Sequence, residues 1–435
     1  MRVEVDAHTD TGHAYPGELA RFALKHWDEY GDAAVDLPAI AVLEGLLSTC
    51  FQASLMREEE RQITFRLILA EPDVFSPESG PPSGLQCLRF QEPREFDEQE
   101  LRRLSPAAPA DRSLIGVGQK KDGELCIWGL IHSGPRWLQR VRGGRDFSPP
   151  LPDVPIVRVT GPGRIVVDRG STLIGKLEGG RLTDDSMDVF DSEWLPAMFA
   201  PVRSELMEIH SQDRKEADKQ WADLDLDVTR RIAQHMIRRI ISTARNFGHG
   251  GTLVIVPPRY APDILTGRYV ELKHKFADDP PRRRYRTLIT SIMDTLAEIY
   301  GQGNGDRQPV GWDEYRKSGD DRLSELYEAI FEMSHLIAGL MAVDGAAVMT
   351  QRYEILGFGG EISGNLQDVA SVARALDVEA NRVVQESAEG YGTRHRSAFR
   401  LCNELHDALT VVISQDSDAR FIRWKDGYVT QWDQA

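Results

Sequence analysis

The sequence is poor in cysteine: four in 435 residues, at positions 50, 87, 126 and 402, with no two forming a CxxC pair. That spacing argues against a structural zinc site, which needs closely paired ligands. Scattered free thiols fit a reducing compartment, so the expected location is the cytoplasm. Long apolar runs are also missing. No stretch reaches the roughly 18 uninterrupted apolar residues of a membrane span, so no membrane association is expected. The opening segment MRVEVDAHTDTGHAYPGE lacks a basic start followed by an apolar core, and it is not expected to act as a secretory signal. There is no internal repeat and no long low-complexity tract. Positive charge is in deficit, with 52 Lys and Arg against 68 Asp and Glu, a formal net charge of -16. An acidic surface repels phosphate polymers, so sequence-independent binding of DNA or RNA is not expected. A small nucleotide remains admissible, because a few local arginines and a metal outweigh the global field.

What is present describes a globular chain. Hydrophobic residues make up 41% and charged residues 28%, and the length calls for two or three domains. Residues 16–30 read as an amphipathic helix with Pro16 near its start, residues 38–57 as a second helix, and ITFRLILA (63–70) as a strand. Five prolines make 72–95 read as a loop, and 98–104 reads as a short helix. Residues 113–119 and 124–133 flank Lys120-Lys121-Asp122-Gly123, a hairpin signal. Residues 155–161 and 164–170 flank another turn, and 171–182 continues the β pattern. This gives an α+β domain over 1–205, then a polar linker helix over 206–227.

From 228 onward the pattern sharpens. Ile232, Met236, Ile237, Ile240, Ile241 and Ala244 recur at helical spacing. TLVIVP (252–257) is a continuous apolar run, read as a buried strand. Residues 258–322 read as irregular with one helix at 288–300, and the basic run Arg282-Arg283-Arg284-Tyr285-Arg286 as a solvated loop. A helix over 323–341 turns Leu326, Ile330, Phe331 and Ile337 inward. MAVDGAAVM (341–349) and YEILGFGGEI (353–362) read as buried strands, 366–387 as helical, ALTVVIS (408–414) as a strand after a helix, and 421–432 as a hairpin.

Two segments carry possible chemistry. Asp344 interrupts an apolar run, and a buried carboxylate needs a metal, a cation or several N–H donors. Gly345 and Ala346 leave room for close approach of a ligand. Asp-Gly is also a common turn pair, and that plain reading stands beside the functional one. In GTRHR (392–396), two guanidiniums flank a histidine at a helix start, a natural cradle for phosphate oxygens. Thr393 is placed to cap that helix or to bond a phosphate. A capped helix with solvated arginines is the alternative.

Together, VDGAAVM (343–349) and GTRHRSA (392–398) resemble the paired DGA and RHR motifs of the diadenylate cyclase family. GGTLVIVP, ILGFGGEI, HDALTVVISQDS and FIRWKDGYV follow that family's strand order, so the resemblance spans about 225–432. It implies a mixed sheet flanked by helices over 228–435, with an insertion at about 259–335, and so an α/β domain in a chain that is α+β as a whole. It implies condensation of two ATP into cyclic di-AMP with release of pyrophosphate. Asp344 would bind a divalent metal, Mg²⁺ or Mn²⁺, and help activate the ribose 3′-hydroxyl. Gly345 and Ala346 would line the nucleotide pocket, with Gly392 at its edge. Thr393, Arg394, His395 and Arg396 would hold the phosphates. Ser414 would contact the nucleotide, and Asp416 would be a second metal ligand. Two domains would have to face each other, so a homo-oligomer, at least a dimer, is implied. Departures are Val343 where some members have His, and Gln415-Asp416 where many have paired glutamates. The first 205 residues resemble the sensor domains that precede such cyclases, with no ligand implied. A nucleotide-binding sensor without turnover and an oligomeric interaction protein are the other readings. Gly170 to Lys176 imitates a phosphate-binding loop, but Leu177 replaces the metal-binding hydroxyl and Gly179-Gly180 is poor helix material, so it reads as a β-turn.

Overall fold

The computed structural model describes residues 13–30, 37–81, 84–109, 112–120, 123–134, 152–170, 172–183, 187–217, 220–247, 249–301, 309–363, 365–414 and 419–434. The chain divides into two compact units, and the described residues up to 183 form one while those from 187 form the other. Both mix helices with sheets, so the architecture is α+β.

The N-terminal unit contains β1 (Arg57–Glu58), β2 (Arg61–Gln62), β3 (Phe65–Leu69), β4 (Gln86–Glu95), β5 (Ser113–Gln119), β6 (Leu125–His132), β7 (Pro155–Gly161), β8 (Arg164–Arg169), β9 (Thr172–Glu178) and β10 (Arg181–Thr183). Eight of them form one sheet in the order β10-β9-β8-β7-β3-β5-β6-β4. Apolar residues alternate along its central strands. Phe65, Leu67, Ile115, Ile127, Val157 and Val167 face a core shared with Leu19, Leu43, Leu46 and Leu47 of helices Pro16–His26 and Ile40–Ser54. On the other face Trp128 packs with Phe75, Leu114 and Ile156, and its indole Nε1 donates to the Ala70 carbonyl at 2.9 Å. Gly116 makes this possible: a Cβ there would lie 2.3 Å from the Trp128 ring.

The hairpins predicted around 123 and 162 are present as β5–β6 and β7–β8. So is the β-turn at Gly179-Gly180, where a phosphate-binding loop would continue into a helix. β9 and β10 pair with Glu178 opposite Arg181, and Gly179 and Gly180 both have positive φ, the geometry that tight hairpins favour. The stretch 72–95 is not wholly a loop. Its second half is β4, an edge strand with most side chains exposed. Pro93 is tolerated there because an edge position and an irregular register release it from the ladder.

The C-terminal unit contains β11 (Gly251–Val256), β12 (Val270–Lys275), β13 (Ala346–Thr350), β14 (Ile355–Ile362), β15 (Ser371–Ala375), β16 (Val383–Ser387), β17 (Leu409–Ile413), β18 (Ala419–Lys425) and β19 (Tyr428–Gln434). They form one sheet in the order β12-β14-β13-β11-β17-β18-β19-β15-β16. β11 and β13 are parallel, and β11 and β17 antiparallel. β11 is buried on both faces, which explains its unbroken apolar run. Leu253 and Ile255 face a large core built with helices Asp227–Phe247, Arg284–Gly301 and Asp321–Met341. Val254 and Val256 face the opposite side, with Ile264, Leu401 and Leu405.

Several sequence readings change here. Residues 187–216 are not the end of a first domain and a solvated linker: they belong to the C-terminal unit. Helix Ala200–Glu216 buries Val202, Leu206 and His210, and His210 Nδ1 lies 2.7 Å from Asp294 Oδ1 of helix Arg284–Gly301. The segment 258–322 is more ordered than its composition suggests, with β12 and a short helix Ala261–Leu265. Residues 366–387 are not helical; they form the β15–β16 hairpin. Phe331 is not inward-facing but 41% exposed, under the Arg239 guanidinium at 4.9 Å. The basic run is not a solvated loop. Arg282 pairs with Asp278 at 2.8 Å, Arg283 with Glu354 at 3.1 Å and Arg286 with Glu205 at 3.5 Å, while Tyr285 is fully buried and bonds Ser334 at 2.6 Å.

Candidate functional site

β13 begins at Ala346, not at Met341, because helix Asp321–Met341 runs further than the apolar pattern implies. Asp344 therefore does not interrupt a buried strand. It is exposed, in the connection between helix and strand. The desolvation cost that singled it out in the sequence does not apply, and its carboxylate is open to a ligand.

Gly345 is required by the protein's own backbone. Its φ is +111°, and a Cβ there would lie 2.6 Å from the carbonyl carbon of Gly359 and 2.8 Å from the Gly360 nitrogen. The close approach of β14 explains the glycines of ILGFGGEI, and it fills the space that the sequence assigns to a ligand. Ala346 is buried within the sheet.

Helix Thr393–Glu404 starts at Gly392, which is the N-cap and offers no side chain to the first-turn N–H groups. Thr393 is the first helical residue rather than the cap. An uncapped first turn leaves N–H donors and the positive end of the helix dipole free for an anion. Thr393 and Arg396 are exposed and Arg394 half-buried. Most arginines of this unit sit in ion pairs, such as Arg352 with Glu205 and Arg374 with Glu386, both at 2.6 Å. The guanidiniums of Arg394 and Arg396 have no ion pair among the described residues.

His395 behaves differently from its neighbours. It is 9% exposed and packs near Tyr391 and Phe399, at ring distances of 5.7 and 6.3 Å. Its Nε2 is 3.5 Å from Arg420 Nη1 on β18. Burial, then the Arg420 charge, and last Arg394 pull its pKa down to about 4, against a weaker pull upward from Asp433. At neutral pH the imidazole is uncharged, and it anchors the helix start rather than adding a third cation. Tyr391 secures the turn before the motif: its hydroxyl donates to Glu386 and accepts from Gln431, and burial chiefly pushes its pKa up to about 12. Tyr391, Glu386 and Arg420 are supporting residues that the sequence does not reveal, because strand register decides who meets whom.

The sheet brings the two motifs to one end. Thr252 of β11 pairs with Ala346 on one side and Val412 on the other, so those backbones are about 10 Å apart. Asp344 and Gly345 lie just before Ala346, and Ser414, half-buried, just after β17. The helix runs antiparallel to β17. Its last turn lies at Thr410, 3.5 Å from Cys402 Sγ, and its first turn at Arg420, which pairs with Val412. Its N-terminus therefore lies at the end of the sheet that carries Asp344 and Ser414. Leu401 and Leu405 share a cluster with Ala346 and Val348, so the helix covers the face onto which β13 projects them. Asp416 lies outside the described residues. Among the described residues no group of three or more His, Cys, Asp or Glu forms a metal cage. A single accessible carboxylate fits Mg²⁺, which is commonly held by one or two carboxylates together with substrate phosphates. No described helix is long and apolar enough to cross a membrane.

Comparisons with known proteins add the following. A crystal structure described as that of the hypothetical membrane spanning protein from Bacillus cereus is 12% identical over 54% of this chain and 90% of its own, with a TM-score of 0.23, too low to support an argument. No curated protein matches. Residues 32–132, within the N-terminal unit, match the family model described as a probable sensor domain, DACNV, so the chain carries a region similar to a probable sensor domain of the type that precedes diadenylate cyclase domains.

Proposed function

We propose that this chain is a diadenylate cyclase whose N-terminal unit senses a signal and whose C-terminal unit condenses two ATP. The observation that carries the reading is one arrangement: an exposed Asp344 and, at the same end of one sheet, a helix start without a side-chain cap whose Arg394 and Arg396 have no ion pair among the described residues. The sensor-domain match supports it independently, since it concerns a different part of the chain.

In this reading the first-turn N–H groups of Thr393–Glu404, with Arg394 and Arg396, bind the triphosphate. His395 keeps the helix start in place. Asp344 would hold Mg²⁺ or Mn²⁺ and orients the 3′-hydroxyl; the metal would supply charge neutralisation. Ser414 contacts the nucleotide, and Asp416 is a second carboxylate available to the metal. The 3′-oxygen of one ATP bonds to the α-phosphorus of the other, the bond to the β-phosphate bridge breaks, and pyrophosphate leaves. The hydroxyl proton passes to Asp344 or to solvent. A second, reciprocal step closes the ring. Phosphoryl transfer of this kind needs positioning and charge neutralisation rather than covalent help. Two nucleotides must lie head to tail, so two copies of the C-terminal unit face each other in the working form.

The purified chain incubated with ATP and Mn²⁺ or Mg²⁺ is expected to yield cyclic di-AMP by mass spectrometry, and the same assay with GTP measures its base selectivity. Asp344→Asn is expected to lower the rate at least a hundredfold with an unchanged melting temperature. Wild-type rates from that variant would remove Asp344 from the chemistry. No product from the wild type under either metal would favour a nucleotide sensor without turnover.

A further inference from the structure

Arg420 lies beside the helix start but outside both sequence motifs. Strand register fixes its height: on β18 it sits opposite Val412 of β17 on one side and opposite Asp433 of β19 on the other. Its guanidinium meets Asp433, His395 and Tyr391. Nε donates to Asp433 Oδ1 at 2.7 Å, across the strand pair. Nη1 lies 3.5 Å from His395 Nε2. The guanidinium carbon is 5.4 Å from the centre of the Tyr391 ring, in cation–π range.

The end of β19 is itself fastened, which makes Asp433 a firm partner. Next to it, Gln434 Oε1 accepts from the Val189 N–H at 2.9 Å and Nε2 donates to Asp188 Oδ1 at 3.0 Å. The Gln434 carbonyl accepts from Arg245 Nη2 at 2.6 Å. Tyr391 is tied by Glu386 and Gln431, and Glu386 in turn accepts from Arg374 Nε at 2.6 Å. The β15–β16 hairpin and the end of β19 thus hold Tyr391 and Arg420 from two directions. A guanidinium carries donors only. The imidazole nitrogen facing it is therefore the acceptor, which assigns the ring proton of neutral His395 to Nδ1. Burial first, and then the Arg420 charge, oppose protonation of the ring.

We propose that Arg420, held by Asp433, is a positioning residue for the triphosphate: it fixes His395 as the Nδ1–H tautomer and so sets where Arg394 and Arg396 are presented. His395 stands between those two arginines in the first turn of Thr393–Glu404, so a shift of its anchored ring carries both with it. A displacement of about 1 Å in groups that hold a substrate costs up to about a hundredfold in rate. Arg420 has this role only if the helix start is the triphosphate site proposed above; the state of His395 is measured without nucleotide.

The test uses the full chain labelled at histidine, with NMR for His395 and calorimetry for ATP with Mg²⁺. Loss of signal in His395→Gln assigns the ring. The wild type is expected to show the Nδ1–H tautomer, uncharged at neutral pH. Arg420→Met is expected to admit the Nε2–H tautomer, to move the ring's titration midpoint upward and to weaken ATP binding at least about fivefold, the effect of one hydrogen bond lost. Arg420→Lys keeps a charged donor and is expected to restore the tautomer and most of the affinity. Should Arg420→Met not fold, Asp433→Asn, which frees Arg420 at unchanged size, is read by the same two criteria with smaller changes in the same direction. An Nε2–H tautomer in the wild type overturns the proposal without any variant. ATP binding by the wild type, with either the tautomer or the affinity unmoved in the variant, overturns it while leaving the nucleotide site standing. No ATP binding by the wild type removes the nucleotide reading and this role with it.

Discussion

Gly345 shows how far a single position constrains the chemistry. Its positive φ and the 2.6 Å approach to Gly359 mean that any side chain must push β13 and β14 apart. Gly345→Ala is expected to cost about 2–4 kcal/mol, from backbone strain and displaced neighbours together. That corresponds to a fall of roughly 5–10 °C in melting temperature, readable by calorimetry, together with loss of cyclase activity because Asp344 is attached to the same turn. An unchanged melting temperature would refute this account of the glycine. At this scale the sequence was a partial guide. DGA and GTRHR identified the segments, but Asp344 looked buried because helix Asp321–Met341 and β13 share one apolar run, and apolar residues do not reveal where a helix hands over to a strand. The division of labour within Arg394-His395-Arg396 was also hidden, since the inward turn of His395 depends on Arg420, 25 residues later.

At the scale of elements, the start of helix Thr393–Glu404 is the feature to perturb. Gly392 has extended backbone angles that any residue adopts, and a Cβ there meets nothing within 4 Å. Gly392→Asp supplies an N-cap carboxylate, which holds or slightly raises stability, by a few tenths of a kcal/mol. The same carboxylate occupies the first-turn N–H groups and repels phosphate. ATP binding is therefore expected to weaken at least about tenfold with no loss of melting temperature. Equal ATP affinity in wild type and variant would show that this helix start is not the phosphate cradle. The central elements were legible because their patterns are strong: the 232–244 helical spacing and the unbroken run of β11 both appear as read. The edges were not. β4, β12 and β16, the strands at the sheet edges, carry mixed, largely exposed residues, so no apolar pattern marks them as strands.

At the scale of the whole chain, the boundary near 187 matters for any dissection. A fragment from Met187 to the end keeps Val189, Phe190, Trp194, Leu195, Phe199, Val202 and Leu206, all buried in the core of the C-terminal unit. A fragment starting at Thr229 loses these seven. At about 1.5–3 kcal/mol for each buried side chain, the loss of roughly 10–20 kcal/mol is as large as the 5–15 kcal/mol of a typical domain. The longer fragment is expected to melt cooperatively and the shorter one to aggregate or lack a transition; a stable fragment from Thr229 would contradict the packing described. The sequence placed this boundary near 205 because helix Ala200–Glu216 is polar on most of its surface, and its three buried positions are too few to stand out against Lys, Asp, Glu and Gln.

The most direct measurement is a crystal structure of the full chain with Mn²⁺ and 3′-deoxy-ATP, which lacks the attacking hydroxyl and so stays unreacted. The account predicts a triphosphate held by Arg394, Arg396 and the first-turn N–H groups of Thr393–Glu404, with Mn²⁺ between those phosphates and Asp344. A nucleotide bound elsewhere on the chain, or a triphosphate at that helix with Asp344 turned away from it, would contradict the account.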